Sequence, residues 1–240
     1  MAATLPRYAR ARCSCCWPLL AGEQAALPAF GQELVEQDRV SREGMTTPRH
    51  ELDFIRLLGP EQVQAFAVEG RAAAQAAGVA AETLAALSDC EVAALHGYTI
   101  HTRPAGENDY EILNHALRTG SDAERERLAS YIETIKAGLA KLPDHAGPVS
   151  RVTNLPPEVV RRLIPGEIYS DPAFMSTAIG MSNFEGKYMF FIESKTGKHI
   201  EFFSRYPKQR EVLYTPGKEF KIISVTPRSD GRVEILLEEV

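Results

Sequence analysis

Residues 198–225 read KHIEFFSRYPKQREVLYTPGKEFKIISV. Runs rich in β-branched and aromatic residues predict three strands in this segment, at 198–204, 211–214 and 219–225. A polar loop separates the first two strands. If the chain is already extended at Gln209, then Gln209 and Glu211 leave the same face of one strand, because side chains alternate along a strand. An amide and a carboxylate would then share one wall of a cleft.

The rest of the chain divides into a helical part, residues 51–147, and a strand-rich part, residues 148–240. In the first part, apolar residues recur every three to four positions, and Ser88 and Ser121 are placed as helix N-caps. Further strands are predicted at 149–153, 167–170 and 188–194, a short helix at 156–163, and hairpin turns at 195–197 and 230–231. A helical N-terminal part followed by a largely antiparallel sheet belongs to the α+β class.

The first 50 residues are predicted to form a flexible leader. The apolar run within residues 7–20 is broken by Ser14 and Pro18 and is too short to span a membrane. Residues 21–50 show no sustained periodicity. The folded part is therefore predicted to be one domain, residues 51–240.

Composition narrows the class of function. The chain has 240 residues, 44% hydrophobic and 25% charged, as in soluble globular proteins. A net charge of −5 disfavours a nucleic-acid partner, because nucleic-acid binders carry basic surfaces. The four cysteines have the spacing of neither a disulfide framework nor a zinc site. His101 and His115 lack the spacing of a histidine metal motif and are expected at the surface or as caps, so no metal is predicted.

Three polar residues stand at the ends of short strand-like runs. Arg151 opens RVTNLP, Ser176 lies in FMSTA, and Glu211 begins the run EVLY. In this order they resemble the R-S-E class of mono-ADP-ribosyltransferases, which carries Arg, Ser-Thr-x and x-x-E on three successive strands. The resemblance covers roughly the last three fifths of the chain. In two departures from the family pattern, Ala178 replaces the usual second Ser, and Gln209 stands where arginine-modifying members carry Glu.

The resemblance implies a fold and a co-substrate. The family folds into two antiparallel sheets that face each other across an NAD cleft, beside an N-terminal helical part. It implies that Ser176 and Thr177 line the floor of this cleft, with Ser176 hydrogen-bonded to Glu211. It also implies that the loop 178–186 covers the cofactor, so that Phe184 or Tyr188 could stack on the nicotinamide, whereas Tyr188 also begins an apolar run typical of a core strand.

The chemistry of NAD explains why an acid and a guanidinium are wanted together. Nicotinamide leaves as a neutral molecule from a cationic precursor, so the difficulty lies in the positive charge that develops on the ribose. The carboxylate of Glu211 can stabilise that charge and hold the ribose 2′-hydroxyl, as glycosidase carboxylates do. Arg151 has the fork of donors that suits a phosphate oxygen.

Gln209 and Tyr206 are predicted to face the acceptor. In the resembled family, Glu at the position of Gln209 accompanies arginine as acceptor, whereas Gln accompanies asparagine or other side chains without a guanidinium. A neutral amide cannot deprotonate a guanidinium, but it can hydrogen-bond an amide or a hydroxyl. The expected acceptor is therefore Asn, Thr, Ser or Gln, with Tyr206 as an aromatic contact to the target protein.

Three functions are compatible with these residues. The first is transfer of ADP-ribose to a protein, the second is hydrolysis of NAD, and the third is a non-catalytic interaction module with the same fold. The resemblance to bacterial toxins and effectors implies a secreted protein that modifies a host protein in the host cytosol.

Overall fold

The computed structural model describes residues 47–101, 106–182, 185–204 and 206–240. Within these ranges six helices form the N-terminal part: α1 (Arg49–Leu58), α2 (Pro60–Ala76), α3 (Ala81–Ala86), α4 (Asp89–Tyr98), α5 (Asp109–Thr119) and α6 (Asp122–Lys141). Two residues of the predicted leader therefore belong to α1, and residues 1–46 lie outside the described ranges. None of the described helices combines the length and the hydropathy that crossing a bilayer requires.

Strands dominate the remaining described residues. They are β1 (Asp144–Thr153), β2 (Ile168–Ser170), β3 (Met175–Ile179), β4 (Tyr188–His199), β5 (Glu211–Tyr214), β6 (Glu219–Pro227) and β7 (Val233–Glu239). A one-turn helix, α7 (Pro157–Val160), follows β1, and two 3-10 helices, Glu201–Phe203 and Pro207–Gln209, precede β5.

Helix α4 lies at the centre of the helical part. It is buried from Cys90 to Tyr98, as expected for a helix without a polar face. Ser88 begins it with a reciprocal cap, in which the Ser88 hydroxyl accepts from the Glu91 amide at 3.1 Å and the Glu91 carboxylate accepts from the Ser88 amide at 2.8 Å. The same arrangement at Ser121 begins α6, so both predicted N-caps are confirmed.

Hydrogen bonds join the strands in the order β1-β3-β5-β4-β7-β6-β2, and β1 also pairs with β4. The long strand β4 lies antiparallel to β1 and parallel to β7, whereas its last residues, Lys198 and His199, pair with β5. Strand β3 pairs with the middle of β1, at Val149 and Ser150, and β5 joins β3 to the C-terminal end of β4. Apolar side chains of β3 and β5, among them Met175 and Val212, share one core with those of β4 and β7, among them Phe190 and Ile235. The predicted α+β fold is confirmed.

The structure tests the two hairpin turns that the sequence predicts. The hairpin at 230–231 is confirmed, because β6 and β7 pair antiparallel across it and Gly231 has a φ of 82°. The hairpin at 195–197 is wrong, since β4 continues through Gly197. A Cβ on Gly197 would collide with Val212, so this glycine permits a close approach of β5 and does not mark a turn.

The strand predicted at 198–204 is also wrong after His199. Residues Glu201–Phe203 form a 3-10 helix. Ile200 and Phe203 are both fully buried against the helical core, and three residues make one turn of a 3-10 helix. Burial of two apolar residues at this spacing favours the helical turn over an extended strand.

Candidate active site

The site forms on one face of strands β3 and β5. Glu211, the first residue of β5, lies directly opposite Ala178, and Ser176 lies opposite Leu213. Because side chains alternate along each strand, Ser176 and Glu211 project to the same face. The Ser176 hydroxyl is close enough to the Glu211 carboxylate to lower the pKa of that acid through hydrogen bonding. The predicted proximity of the serine and the acid is therefore present in the structure.

Helix α4 covers this face with Tyr98. The Tyr98 Oη lies 3.4 Å from Ser176 Oγ. On its other side, Tyr98 accepts a hydrogen bond of 3.0 Å from the side-chain amide of Asn114, whose carbonyl accepts from the Phe174 amide at 3.1 Å. Asn114 thus ties α5 to α4 and to the residue before β3. Hydrogen bonds therefore connect α5 through Tyr98 to Ser176, the residue that lowers the pKa of Glu211.

An ion pair holds α5 in place for this series. Arg118 donates to both carboxylate oxygens of Asp171, at 3.0 Å and 2.8 Å. Asp171 also accepts from the Ala173 amide at 3.0 Å, so it fixes the turn between β2 and β3. Two-pronged pairs of this kind set both distance and orientation.

Arg151 reaches the site from β1. Its Nη1 donates to the backbone carbonyl of Ser176 at 2.7 Å. Its positive charge is close enough to Glu211 and Tyr98 to lower the pKa of both groups. The structure therefore brings Arg151, Ser176 and Glu211 together, as the sequence predicts.

Burial sets the electrostatics of the acid. Desolvation raises the pKa of Glu211 to about 7, against the opposing effects of the Ser176 hydrogen bond and the Arg151 charge. Desolvation likewise raises the pKa of Tyr98 to about 12, with the Glu211 charge adding to the increase. Tyr98 is thus a neutral hydroxyl near pH 7, whereas Glu211 changes charge there. Carboxylates with such displaced pKa values are concentrated in catalytic sites.

Other predicted site residues lie elsewhere. Thr177 faces the opposite side of β3 from Ser176, is buried, and donates its hydroxyl to the Val212 carbonyl at 2.8 Å. Phe184 lies outside the described residues. Tyr188 is buried in the core between the strands, so it packs as a core residue. Among the residues that the structure describes, no cluster of three or more His, Cys, Asp or Glu side chains is arranged to hold a metal ion.

Gln209 does not lie on the strand of Glu211. It ends the 3-10 helix Pro207–Gln209, and Arg210 follows in the left-handed conformation with a φ of 50°. The expectation of an extended chain at Gln209 is therefore wrong. Gln209 instead contacts His101, with 3.1 Å between the two Nε2 atoms, and the His101 ring stacks on Tyr206 with centroids 4.3 Å apart.

His101 is the site residue that sequence reasoning missed. It follows the end of α4, far from the loop of Gln209 in sequence, and its neighbours carry no motif. Only its position shortly after Tyr98, which faces Ser176, places it near the site.

Residues 65–240 match the protein family described as ART: NAD:arginine ADP-ribosyltransferase. The chain belongs to this family. Its predicted resemblance to mono-ADP-ribosyltransferases is thereby confirmed, and the family's name states that its members use NAD.

Individual proteins agree with this assignment. The chain is 31% identical over 183 residues to the NAD(+)--protein-arginine ADP-ribosyltransferase Tre1 of Serratia proteamaculans, a match that covers 76% of this chain and 39% of the relative. The matches span less than half of the length of each curated relative.

Solved structures show the same ADP-ribosyltransferase fold. The type III effector XopAI from Xanthomonas axonopodis pv. citri superposes with a TM-score of 0.65 at 21% identity, over 88% of this chain and 99% of that one. Exoenzyme S from Pseudomonas aeruginosa, bound to carba-NAD and a human 14-3-3 protein, superposes with a TM-score of 0.55 at 20% identity, over 88% of this chain and 90% of that one.

Proposed function

We propose that this ADP-ribosyltransferase homologue cleaves NAD between nicotinamide and ribose and transfers the ADP-ribose to a side chain of another protein. The observation that carries the proposal is that Ser176 and Glu211 share one face, covered by Tyr98, and that Arg151 reaches the same site through the Ser176 carbonyl. Membership of the family supports it.

The reaction breaks one bond and forms one. The pair of electrons in the bond between the ribose C1′ and the pyridinium nitrogen leaves with nicotinamide, which becomes neutral. The acceptor atom then bonds to C1′ and releases its proton to solvent. Ionised Glu211 stabilises the positive charge that develops on the ribose, as a preorganised charge in a partly desolvated site does. Ser176 keeps the carboxylate in position.

Three residues are proposed to bind NAD or to support its binding site. We assign a phosphate oxygen to Arg151, whose guanidinium has five donors, one of which the structure places on the Ser176 carbonyl. Thr177 supports the site through the backbone of β5. Phe184 remains the candidate for an aromatic contact to nicotinamide.

For the acceptor, we propose a neutral side chain that donates a hydrogen bond, such as Asn, Gln, Ser or Thr. The support is Gln209, a neutral amide beside Tyr206 in the loop that leads to Glu211. The alternative acceptor is arginine, which the names of the four curated relatives give. Mass spectrometry of lysate proteins labelled by the enzyme decides between them, since a modified arginine overturns the neutral acceptor and leaves the transferase function intact.

The site of action is proposed from the neighbours. XopAI is described as a type III effector and the Vis protein of Vibrio splendidus as a toxin. By analogy, we propose that this protein is secreted and modifies a host protein in the host cytosol. Labelling of a protein present in host lysate but absent from bacterial lysate supports this assignment, and exclusive labelling of bacterial proteins contradicts it.

The decisive experiment follows nicotinamide release and protein labelling by the purified protein, with NAD tagged on its adenosine. The wild type is expected to show both activities. Glu211→Gln is expected to lose each by roughly 10²- to 10³-fold while still binding NAD, because a charge that acts in the transition state is removed. Glu219→Gln, an exposed acid on β6, is the matched control and retains both.

The other outcomes separate the alternatives. Nicotinamide release without labelling of any protein identifies an NAD hydrolase. Neither activity, with folded protein, identifies a non-catalytic module. Full turnover by Glu211→Gln removes this residue from the mechanism.

A further inference from the structure

His101 joins the helical part to the loop that precedes Glu211. Its ring lies parallel to that of Tyr206, at an interplanar angle of 19°, and edge-on to that of Tyr110, with centroids 6.0 Å apart. Its Nε2 lies 3.1 Å from the Nε2 of Gln209. One half-buried ring therefore contacts both residues of the loop that face the proposed acceptor.

We propose that His101 is a positioning residue for the acceptor. It holds the Gln209 amide so that the carbonyl oxygen faces the incoming side chain, and it fixes the orientation of the Tyr206 ring by stacking. The inference deepens the proposed transferase function and rests on it. It requires an acceptor side chain that donates an N–H or O–H to a carbonyl, a condition that the proposed neutral side chains and the alternative arginine both meet.

With the amide nitrogen of Gln209 facing the ring, the hydrogen bond between the two nitrogens has one direction. An amide nitrogen is a donor and has no lone pair available to accept, so Gln209 donates and His101 Nε2 accepts. The ring must then be neutral and carry its proton on Nδ1. Burial lowers the pKa of His101 below its ordinary value, which keeps the ring in this neutral form at pH 7.

The direction of this hydrogen bond determines which atom of the Gln209 side chain can contact the acceptor. With its NH₂ group committed to His101, its carbonyl oxygen is left to accept, and it accepts no hydrogen bond from any other residue that the structure describes. A carbonyl at this place orients an amide, a hydroxyl or a guanidinium by one of its own donors. The backbone turn at Arg210 separates this carbonyl from the strand of Glu211, so its aim depends on the contact with His101.

Stacking on His101 positions Tyr206, the second residue proposed to face the acceptor. The loop is held locally by the Tyr206 amide, which donates to Ser204 Oγ at 2.9 Å, and by the 3-10 turn. Pro207, Lys208 and Arg210 are exposed. The parallel contact between His101 and Tyr206 therefore fixes the loop against the helical part.

The test compares the fate of ADP-ribose in three variants of the purified full chain. Transfer to labelled lysate proteins and hydrolysis by water are measured together, with the KM for a purified acceptor where one has been mapped. His101→Ala removes both contacts and is expected to lower transfer at least tenfold, through KM for the acceptor, while hydrolysis stays within twofold. His101→Phe restores the stacking alone and is expected to recover part of the transfer. His115→Ala, an exposed histidine on α5, is the control and changes neither.

A second measurement is independent of activity. Nitrogen NMR of the wild type is expected to show the neutral ring of His101 with its proton on Nδ1, and a side-chain NH₂ of Gln209 that shifts in His101→Ala. A proton on Nε2 overturns the orientation of the amide. Equal losses of transfer and hydrolysis, or unchanged transfer, overturn the positioning role. Wild-type protein with the expected NMR signals and no turnover refutes the proposed function and the acceptor role, and leaves the contact itself standing.

Discussion

Tyr98 on α4 and Ser176 on β3 bring their side-chain oxygens to within 3.4 Å of each other. This contact joins the helical part to the strands beside Glu211, and Asn114 extends it to α5. The acid is therefore supported from two elements that are distant in sequence. Substitutions in and around this series should change the pKa of Glu211 or the free energy of unfolding. Some of them should stabilise the protein and others should destabilise it.

Ser176→Ala should shift the pH dependence of NAD cleavage. The hydrogen bond from Ser176 lowers the pKa of Glu211, which burial raises to about 7, so its loss raises the pKa further. Because the carboxylate must be ionised, the midpoint of kcat/KM for NAD should move to higher pH by about one pH unit, the equivalent of a hydrogen bond to a charged group. Ser170→Ala, exposed on β2, serves as control, and an unmoved midpoint in Ser176→Ala contradicts the role of this hydrogen bond.

Glu211→Gln should stabilise the protein at neutral and alkaline pH. The pKa of Glu211 rises from 4.5 to about 7 on folding, so between these values the native state binds more protons and stability falls as pH increases. The neutral amide escapes this penalty. Urea unfolding at pH 8 should show a gain on the order of 1–3 kcal/mol, and at pH 4 the difference should vanish. A variant no more stable than the wild type at pH 8 would show that desolvation of the half-buried acid does not destabilise the fold.

Asn114→Leu should destabilise the fold through unpaired partners. It leaves the Tyr98 hydroxyl without its donor and the Phe174 amide without its acceptor, at buried positions. The expected cost in the free energy of unfolding is about 2–4 kcal/mol. Asn114→Asp, compared at pH 4 where its carboxyl is protonated, keeps an acceptor for Phe174 and should cost less. Equal costs in the two variants, measured by denaturant unfolding, would exclude the pairing with Phe174 as a source of stability.

Gly97→Ala should destabilise the helical part although alanine is the better helix former. A Cβ at Gly97 would overlap the hydroxyl of Tyr131 and lie 3.0 Å from the Phe66 ring. Overpacking of this kind costs about 1–3 kcal/mol. Gly138→Ala is the matched variant, because its Cβ would meet the movable end of Leu95 at 3.2 Å. Thermal unfolding should separate the two, and a Tm for Gly97→Ala at or above that of Gly138→Ala would contradict the close approach.

The proximity of Ser176 and Glu211 follows from the family resemblance and not from the strand patterns, because a shift of one residue in the pairing would turn one side chain to the other face. What the patterns do predict is the alternation of side chains along each strand. The α+β class follows in the same way from local periodicity. Residues whose position depends on tertiary contacts are different. His101 and Gln209 are separated by 108 residues, and no local pattern encodes their contact.

The errors have local physical causes. A spacing of two predicts a shared face only in an extended chain, and at Arg210 a left-handed residue that is not glycine breaks that rule. The sequence at 195–197 is typical of a turn, but Gly197 lies within β4 and leaves room for the side chain of Val212. Sequence alone does not distinguish a glycine that bends the chain from one that lets a neighbour approach.

The parallel pairing of β4 with β7 has a consequence for biosynthesis. Strands β6 and β2 reach β4 only through β7, which is translated after all the others. Before β7 is available, β6 and β2 have no described strand that joins them to β4. Maturation of the sheet therefore awaits the arrival of one late segment, and until then the exposed edge of β4 is open to other unpaired strands or to a chaperone.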